Sequence, residues 1–143
     1  MRLSRPEIDV AVLLLRTSLA ALHRAFPNSE LIVAYLPSPL SSYRLVSETV
    51  TIKSGQQPWL YFPAVEVARR SNMLCRMVRA SAIDVGARFF DTRPAMRAAG
   101  ESRFIHGPKD WQHYNREGNT ALGQAVYDFL LAEGAGDSSC AVL

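Results

Sequence analysis

The chain has 143 residues, a net charge of +3, and 48% apolar against 20% charged residues. These ordinary values leave room for one domain and exclude a disordered tail, a collagen and a disulfide-rich scaffold. No apolar run approaches the ~20 residues of a membrane span, and acidic residues close to the start argue against a signal peptide, so the compartment stays open.

The basic charge does not indicate nucleic-acid binding. Only Lys53 and Lys109 among the 16 basic residues are lysines, and the arginines are spread along the chain among 13 acids. Dispersed arginines form no basic stripe and are more typical of surface ion pairs. We therefore predict no nucleic-acid partner.

The first predicted element is a helix. It begins with a capping box at Ser4-Arg5-Pro6-Glu7 and ends at Pro27-Asn28. One helical face is apolar, with residues spaced three and four apart: Ile8, Val12, Leu15, Leu19 and Leu22. Because Val10 and Leu13-Leu14 widen this face, we expect the helix to be well buried.

A short apolar run at 31–36, stopped by Pro37, predicts a strand covered on both faces, as in a parallel sheet. The next loop would lie at the carboxyl edge of that sheet, where open α/β folds bind ligands. Ser38 is the candidate substrate-binding residue there. Residues 46–52 are either a hairpin arm or an ordered loop, and 54–58 form a break.

A second helix is predicted from about 63 to 82, with Cys75 as a small buried apolar residue. Gly86 ends it, and 87–91 form a second strand. A helical turn at 94–99 and a loop at 100–112 precede a last helix that Asn115 caps. Two strands joined by a helical crossover make a βαβ unit, but three helices need a larger sheet. The sequence thus predicts an incomplete α/β domain, followed by a polar, solvated tail at 134–143.

Asp110 and His113 are the candidate catalytic residues. They lie three apart in a loop just before the last helix. At that spacing a carboxylate can accept from one imidazole nitrogen and leave the other free to take a proton from a hydroxyl. This is the acid and base part of a serine hydrolase triad.

With its Asp-x-x-His pair, the following Asn-x-x-Gly and the final amphipathic helix, the chain resembles the SGNH hydrolases, also called GDSL lipases and esterases. Leu31 to Pro39 is similar to the family's fourth strand, and Phe89-Phe90-Asp91 to its fifth. The resemblance covers residues 1–133 and only the later half of the family's domain. It implies a three-layer, flavodoxin-like fold and hydrolysis of lipid esters or O-acetylated carbohydrate without a cofactor.

The family's nucleophile and oxyanion blocks do not occur before Asp110 in this sequence. The serine would therefore come from an upstream segment or a partner chain, such as a second copy. The alternative is a non-catalytic half-domain that binds a partner or self-associates through its open sheet edge and apolar helix surface. Gly136-Asp137-Ser138 spells the nucleophile motif, but no strand precedes it, and a solvated tail is the preferred interpretation.

The remaining candidates receive plainer interpretations. Trp111, beside the Asp-x-x-His pair, is a candidate wall of a substrate pocket, and His106 is interpreted as a surface histidine. The spacing of His106, Asp110 and His113 fits no strong metal template, so no metal is predicted. The final four residues, from Cys140, fit a prenylation signal, although an arginine-rich, lysine-poor composition is typical of bacteria, where that modification is not expected.

Overall fold

A computed structural model describes residues 4–52, 59–107, 111–132 and 138–141. Its helices are α1 (Arg5–Ala25), α2 (Ala64–Asp84), α3 (Arg93–Ser102) and α4 (Arg116–Leu131). Its strands are β1 (Ile32–Tyr35), β2 (Thr49–Ile52), β3 (Leu60–Pro63) and β4 (Arg88–Asp91), and a short 3-10 turn spans Pro39–Ser41. The fold is therefore mixed α/β, as the order of predicted elements indicated.

The two predicted strands pair with each other. β1 and β4 run parallel, with Ile32 opposite Arg88 and Tyr35 opposite Asp91, and α2 lies in the connection between them. The βαβ prediction is thus confirmed. The same connection contains an antiparallel hairpin of β2 and β3. Of the two alternatives for residues 46–52, the hairpin arm is therefore confirmed and the ordered loop is not. β3 was not predicted, and it runs directly into α2, whose N-cap is Pro63.

Helices lie against both faces of the parallel pair. Because successive side chains of a strand point to opposite sides, neighbouring residues of β4 contact different helices. Phe89 is fully buried with Cys75 and Ala82 of α2. Its neighbour Phe90 stacks on Phe129 of α4, with ring centroids 4.5 Å apart. The expected coverage of β1 on both faces is wrong at Ala34, which is exposed.

α1 is the main correction to the predicted packing. Its capping box is present, since the Glu7 carboxylate accepts from both the backbone N–H and the hydroxyl of Ser4. However, only Ile8 and Leu19 of the helix are buried, while Leu13 and Leu14 are each 62% exposed. The helix contacts α2 along a narrow stripe. The broad apolar face predicted to be buried is therefore largely open.

The structure confirms the predicted end of α2 and the predicted helical segment after β4, although that segment is longer than predicted. Gly86 ends α2 with a φ of 76°, a left-handed conformation that glycine adopts without strain. The turn predicted at 94–99 is the middle of the ten-residue helix α3. Among the described residues, no helix is both long and apolar enough to cross a membrane.

Gly118 and Gly123 of α4 offer a matched test of packing. A methyl group at Gly118 would meet the Ile105 carbonyl oxygen and the Tyr114 side chain, whereas one at Gly123 would meet open space. We expect Gly118→Ala to lower the free energy of unfolding by about 1–3 kcal/mol, as overpacking does. Gly123→Ala should raise it by about 0.5–1 kcal/mol, because alanine is the better helix former. Urea denaturation measures both, and equal stabilisation by the two variants would contradict the close approach.

Candidate functional site

Asn115 fastens the predicted catalytic loop to the start of α4. Its side-chain oxygen accepts the Gly118 N–H at 3.0 Å, which confirms the predicted cap. Its side-chain amide also donates to the carbonyls of Phe104 and His106, at 2.8 and 3.1 Å. One residue therefore caps the helix and fixes the strand-like segment before the loop.

The two ends of this loop face each other. His106 and Tyr114 form an isolated antiparallel bridge, and the Asn115 N–H donates to the Ile105 carbonyl at 3.0 Å. The Tyr114 hydroxyl donates to the Pro37 carbonyl at 3.4 Å, just beyond the carboxyl end of β1. Burial raises the pKa of Tyr114, so its hydroxyl keeps the proton that it donates. The loop is thus held at the carboxyl edge of the parallel pair.

The predicted catalytic pair spans the edge of the described residues. Asp110 lies outside the described residues, so the structure gives no geometry for its contact with His113. His113 itself is exposed, and its backbone carbonyl accepts the Gly107 N–H at 3.4 Å. The catalytic roles of both residues stay predictions.

Two cavities lie beside the segment that follows β1. The smaller one, of about 480 Å³, is lined by the half-buried Trp111 together with His106, Tyr43 and Leu40. The larger one, of about 600 Å³, is lined by Ser38 and also by Leu40, so the two cavities meet at that residue. Both volumes are within the usual range of small-molecule sites. The two predicted substrate-binding residues, Trp111 and Ser38, therefore line neighbouring cavities rather than a shared one.

His106 is buried, which corrects its interpretation as a surface residue. Only 7% of it is exposed. Its Nδ1 lies 2.9 Å from the Tyr43 hydroxyl, and its ring is tilted against the rings of Tyr43 and Tyr114. Burial lowers the pKa of His106, which favours the neutral imidazole.

A fully buried arginine at the carboxyl end of β4 was missed by the sequence analysis. The Arg93 guanidinium donates to both carboxylate oxygens of Asp91, to the side chains of Ser71 and Asn72 in α2, and to the Ala141 carbonyl. Distances run from 2.8 to 3.2 Å. All five of its N–H donors are used.

The same cluster holds the end of the chain, so the solvated tail is wrong for residues 138–141. The Ser138 N–H donates to the Phe89 carbonyl, and the Ser138 hydroxyl accepts the Asp91 N–H. Cys140 forms a disulfide with Cys75 of α2. Ser138 is therefore a structural contact of β4 here, and Cys140 has no free thiol for prenylation while the disulfide is intact. Gly136 and Asp137 lie outside the described residues.

Three potential metal ligands meet at this place. Cys75, Cys140 and Asp91 have ligand atoms within 4.8 Å of one another. The two sulfurs are bonded to each other, however, and a disulfide is not the thiolate that binds metal. The Asp91 carboxylate already accepts from Arg93 and Ala141. In this oxidised form the cluster is a structural anchor.

The surface arginines behave as the dispersed charge predicted. Several of them form exposed ion pairs with acidic neighbours: Arg5, Arg16, Arg69 and Arg103. Arg93 is the exception because it is buried. The sequence signal that could have found it is an acid at the last position of a strand, followed two residues later by an arginine. Tyr43, the other residue missed, carries no comparable local signal.

No family model matches the chain, and comparisons with curated proteins and with solved structures gave no match.

Proposed function

We propose that this chain is the later half of an SGNH-type serine ester hydrolase and supplies its acid and base residues. In this proposal His113 takes the proton of a serine hydroxyl and later gives it to the leaving alcohol. Asp110 orients the His113 ring and stabilises the imidazolium that forms. The substrate is an ester of a lipid or an O-acetylated carbohydrate.

The observation that carries the proposal is the anchoring of the His113 loop at the carboxyl edge of β1. The hydrogen bond from Tyr114 to the Pro37 carbonyl ties the residue after His113 to the residues just beyond β1. In open α/β sheets, ligands bind outside the carboxyl ends of the strands. Two adjoining cavities at this edge provide room for a small substrate.

The open side of the parallel pair supports the idea of a half-domain. Among the described residues, β1 pairs with β4 along one edge and with no strand along the other. The exposed apolar face of α1, which includes Leu13 and Leu14, belongs to a helix that packs against α2 of this βαβ unit. Unpaired strand edges and apolar surfaces of this kind are usually covered by another element. Further strands carrying the nucleophile and oxyanion donors would cover both.

The same open surfaces favour the alternative, a non-catalytic module that binds a partner or a second copy of itself. The alternative needs no serine, and it predicts association through α1 whether or not His113 is present. A test for an activated serine therefore distinguishes the two functions, whereas a test for association alone does not.

The decisive experiment is labelling with a serine-directed fluorophosphonate, read by intact mass. The chain alone should fold and take no label, because it contributes no nucleophile. When the chain is co-expressed with the segment encoded directly upstream in the same reading frame, one serine of that segment should be labelled. Labelling should be lost in His113→Ala, which lacks the base, and in Asp110→Ala, which lacks the carboxylate that orients the base and stabilises its charged form. It should persist in His23→Ala, which alters an exposed histidine of α1.

Three results would contradict the proposal. Labelling that is unchanged in His113→Ala would remove the base from its role. A label mapped to Ser138 would show that this chain carries its own nucleophile. The binding module would be favoured if neither the chain nor the co-expressed upstream segment took a label and if light scattering showed concentration-dependent dimerisation.

A further inference from the structure

The smaller cavity combines an aromatic wall with one buried polar side chain. Trp111, Phe104 and Leu40 provide apolar surface, and His106 is the buried residue with a polar side chain that could face a ligand. Asn115 also lines the cavity, but its side-chain oxygen and nitrogen are already bonded to Gly118, Phe104 and His106. Of the buried side chains that line the cavity, His106 therefore supplies the hydrogen-bonding group for a ligand, and its protons decide what that group offers.

The contacts of the Tyr43 hydroxyl oxygen determine which ring nitrogen of His106 carries the proton. This oxygen accepts the backbone N–H of Ile105 at 3.1 Å and that of His106 at 3.2 Å. A phenolic oxygen has two lone pairs, and both are then occupied. The hydroxyl hydrogen is left to donate to Nδ1 of His106, 2.9 Å away.

An Nδ1 that accepts a hydrogen bond carries no proton, so the neutral ring has its proton on Nε2. Among the described residues, no other hydrogen bond to the His106 ring occurs. The ring is also held in orientation, because it is tilted against Tyr114 with centroids 4.8 Å apart. Tyr43 thus fixes the neutral His106 ring with its remaining proton on Nε2, and His106 lines the cavity.

We propose that this cavity binds an uncharged, ring-bearing ligand whose single hydrogen-bond acceptor takes the Nε2–H of His106. The ring packs against Trp111 and Phe104, since flat apolar groups bury large area against aromatic side chains. A carboxylate is disfavoured because the neutral imidazole does not compensate its charge when it leaves water. The role of this cavity as an ester subsite rests on the proposed function, whereas the binding itself does not.

Three probes that share one ring test the binding: phenylacetamide, phenylacetate and ethylbenzene. Titration of the 15N-labelled 143-residue chain at pH 7 is followed by NMR on the Trp111 indole and the His106 ring. We expect phenylacetamide to bind at least about tenfold more tightly than either of the others, which is the range of one hydrogen bond to a buried donor. The His106 nitrogen shifts should show the proton on Nε2 before ligand is added.

Two variants separate the contributions of donor and wall. In His106→Phe, phenylacetamide should lose its advantage over ethylbenzene, because the Nε2–H that it accepts is removed. In Trp111→Ala, all three probes should bind more weakly while the preference for the amide over the carboxylate persists. Trp111→Ala leaves the Tyr43–His106 hydrogen bond in place, so it stays informative if His106→Phe does not fold. His23→Ala, a change at an exposed histidine, should leave all three affinities unchanged.

Specific outcomes would overturn the proposal. They are a proton on Nδ1 of His106, tighter binding of phenylacetate than of phenylacetamide, or no shift of Trp111 with any probe. None of these measurements uses Asp110, His113 or a nucleophilic serine. Failure of the fluorophosphonate experiment would therefore leave the binding site standing, and failure here would leave the hydrolase proposal untouched.

Discussion

Replacing Arg93 with methionine is expected to lower the free energy of unfolding by about 3–5 kcal/mol, the usual range for breaking a buried ion pair. The guanidinium is 0% exposed, and the Asp91 side chain that it pairs with is 1% exposed. Removing the cation leaves a buried carboxylate without its counterion. It also leaves the Asn72 side chain and the Ala141 carbonyl without the N–H groups that they accept. Since domains of this size unfold with about 5–15 kcal/mol, the loss is a large share of the total.

Controls separate burial from charge in this prediction. Arg103→Met removes an ion pair with Glu117 whose side chains are 58% and 46% exposed, and it should change stability by less than about 1 kcal/mol. Arg93→Lys keeps the charge but offers three donors in place of five, so its loss should be smaller than that of Arg93→Met. Guanidinium denaturation followed by circular dichroism measures all three. A loss in Arg93→Met no larger than that in Arg103→Met would refute the argument.

The elements that could be predicted from the sequence are those with local signals. Ser4 and Glu7 lie three residues apart and mark the start of α1, and Asn115 and Gly118 do the same for α4. The start of α2 follows the proline at 63. Capping and helical periodicity act within a few residues, so a linear pattern contains them. β3 escaped prediction because one of its four residues is a proline, which is atypical of a strand, and the other three are too few to show an alternation.

Burial was harder to predict, since it depends on distant partners. The burial of His106 requires the hydroxyl of Tyr43, 63 positions earlier in the chain. The burial of Arg93 requires acceptors from α2 and from Ala141, 48 positions later. The α1 face was expected to be buried because it is apolar, yet an apolar face is covered only if another element reaches it. The predicted substrate-binding residues show the same limit: Trp111 and Ser38 were both expected at the substrate, but they line two different cavities.

Removal of the disulfide is expected to have an effect of similar size to the loss of Arg93. Cys75 and Cys140 are 65 positions apart, and closing a loop of that length in the unfolded chain corresponds to about 4 kcal/mol in the chain-entropy account. We expect the Cys75→Ala/Cys140→Ala variant to lose about that much free energy of unfolding. The Arg93→Met and Cys75→Ala/Cys140→Ala effects should not simply add, because Ala141 bonds to both Asp91 and Arg93 beside the bridge.

The disulfide and the buried ion pair both hold residues 138–141. Hydrogen exchange in that segment, measured with and without the disulfide, shows how much of the holding each one does. The Ser138 N–H is bonded to the Phe89 carbonyl and the Ala141 N–H to the Asp91 carboxylate. With the bridge absent, both amides should exchange faster than those of the α2 core, because the segment is then held by hydrogen bonds alone. Dithiothreitol should produce the same change in the unmodified protein and none in the double variant. If both amides stay protected after reduction, the polar anchor at Asp91 and Arg93 is sufficient by itself, and the disulfide contributes through the unfolded chain rather than by holding the segment.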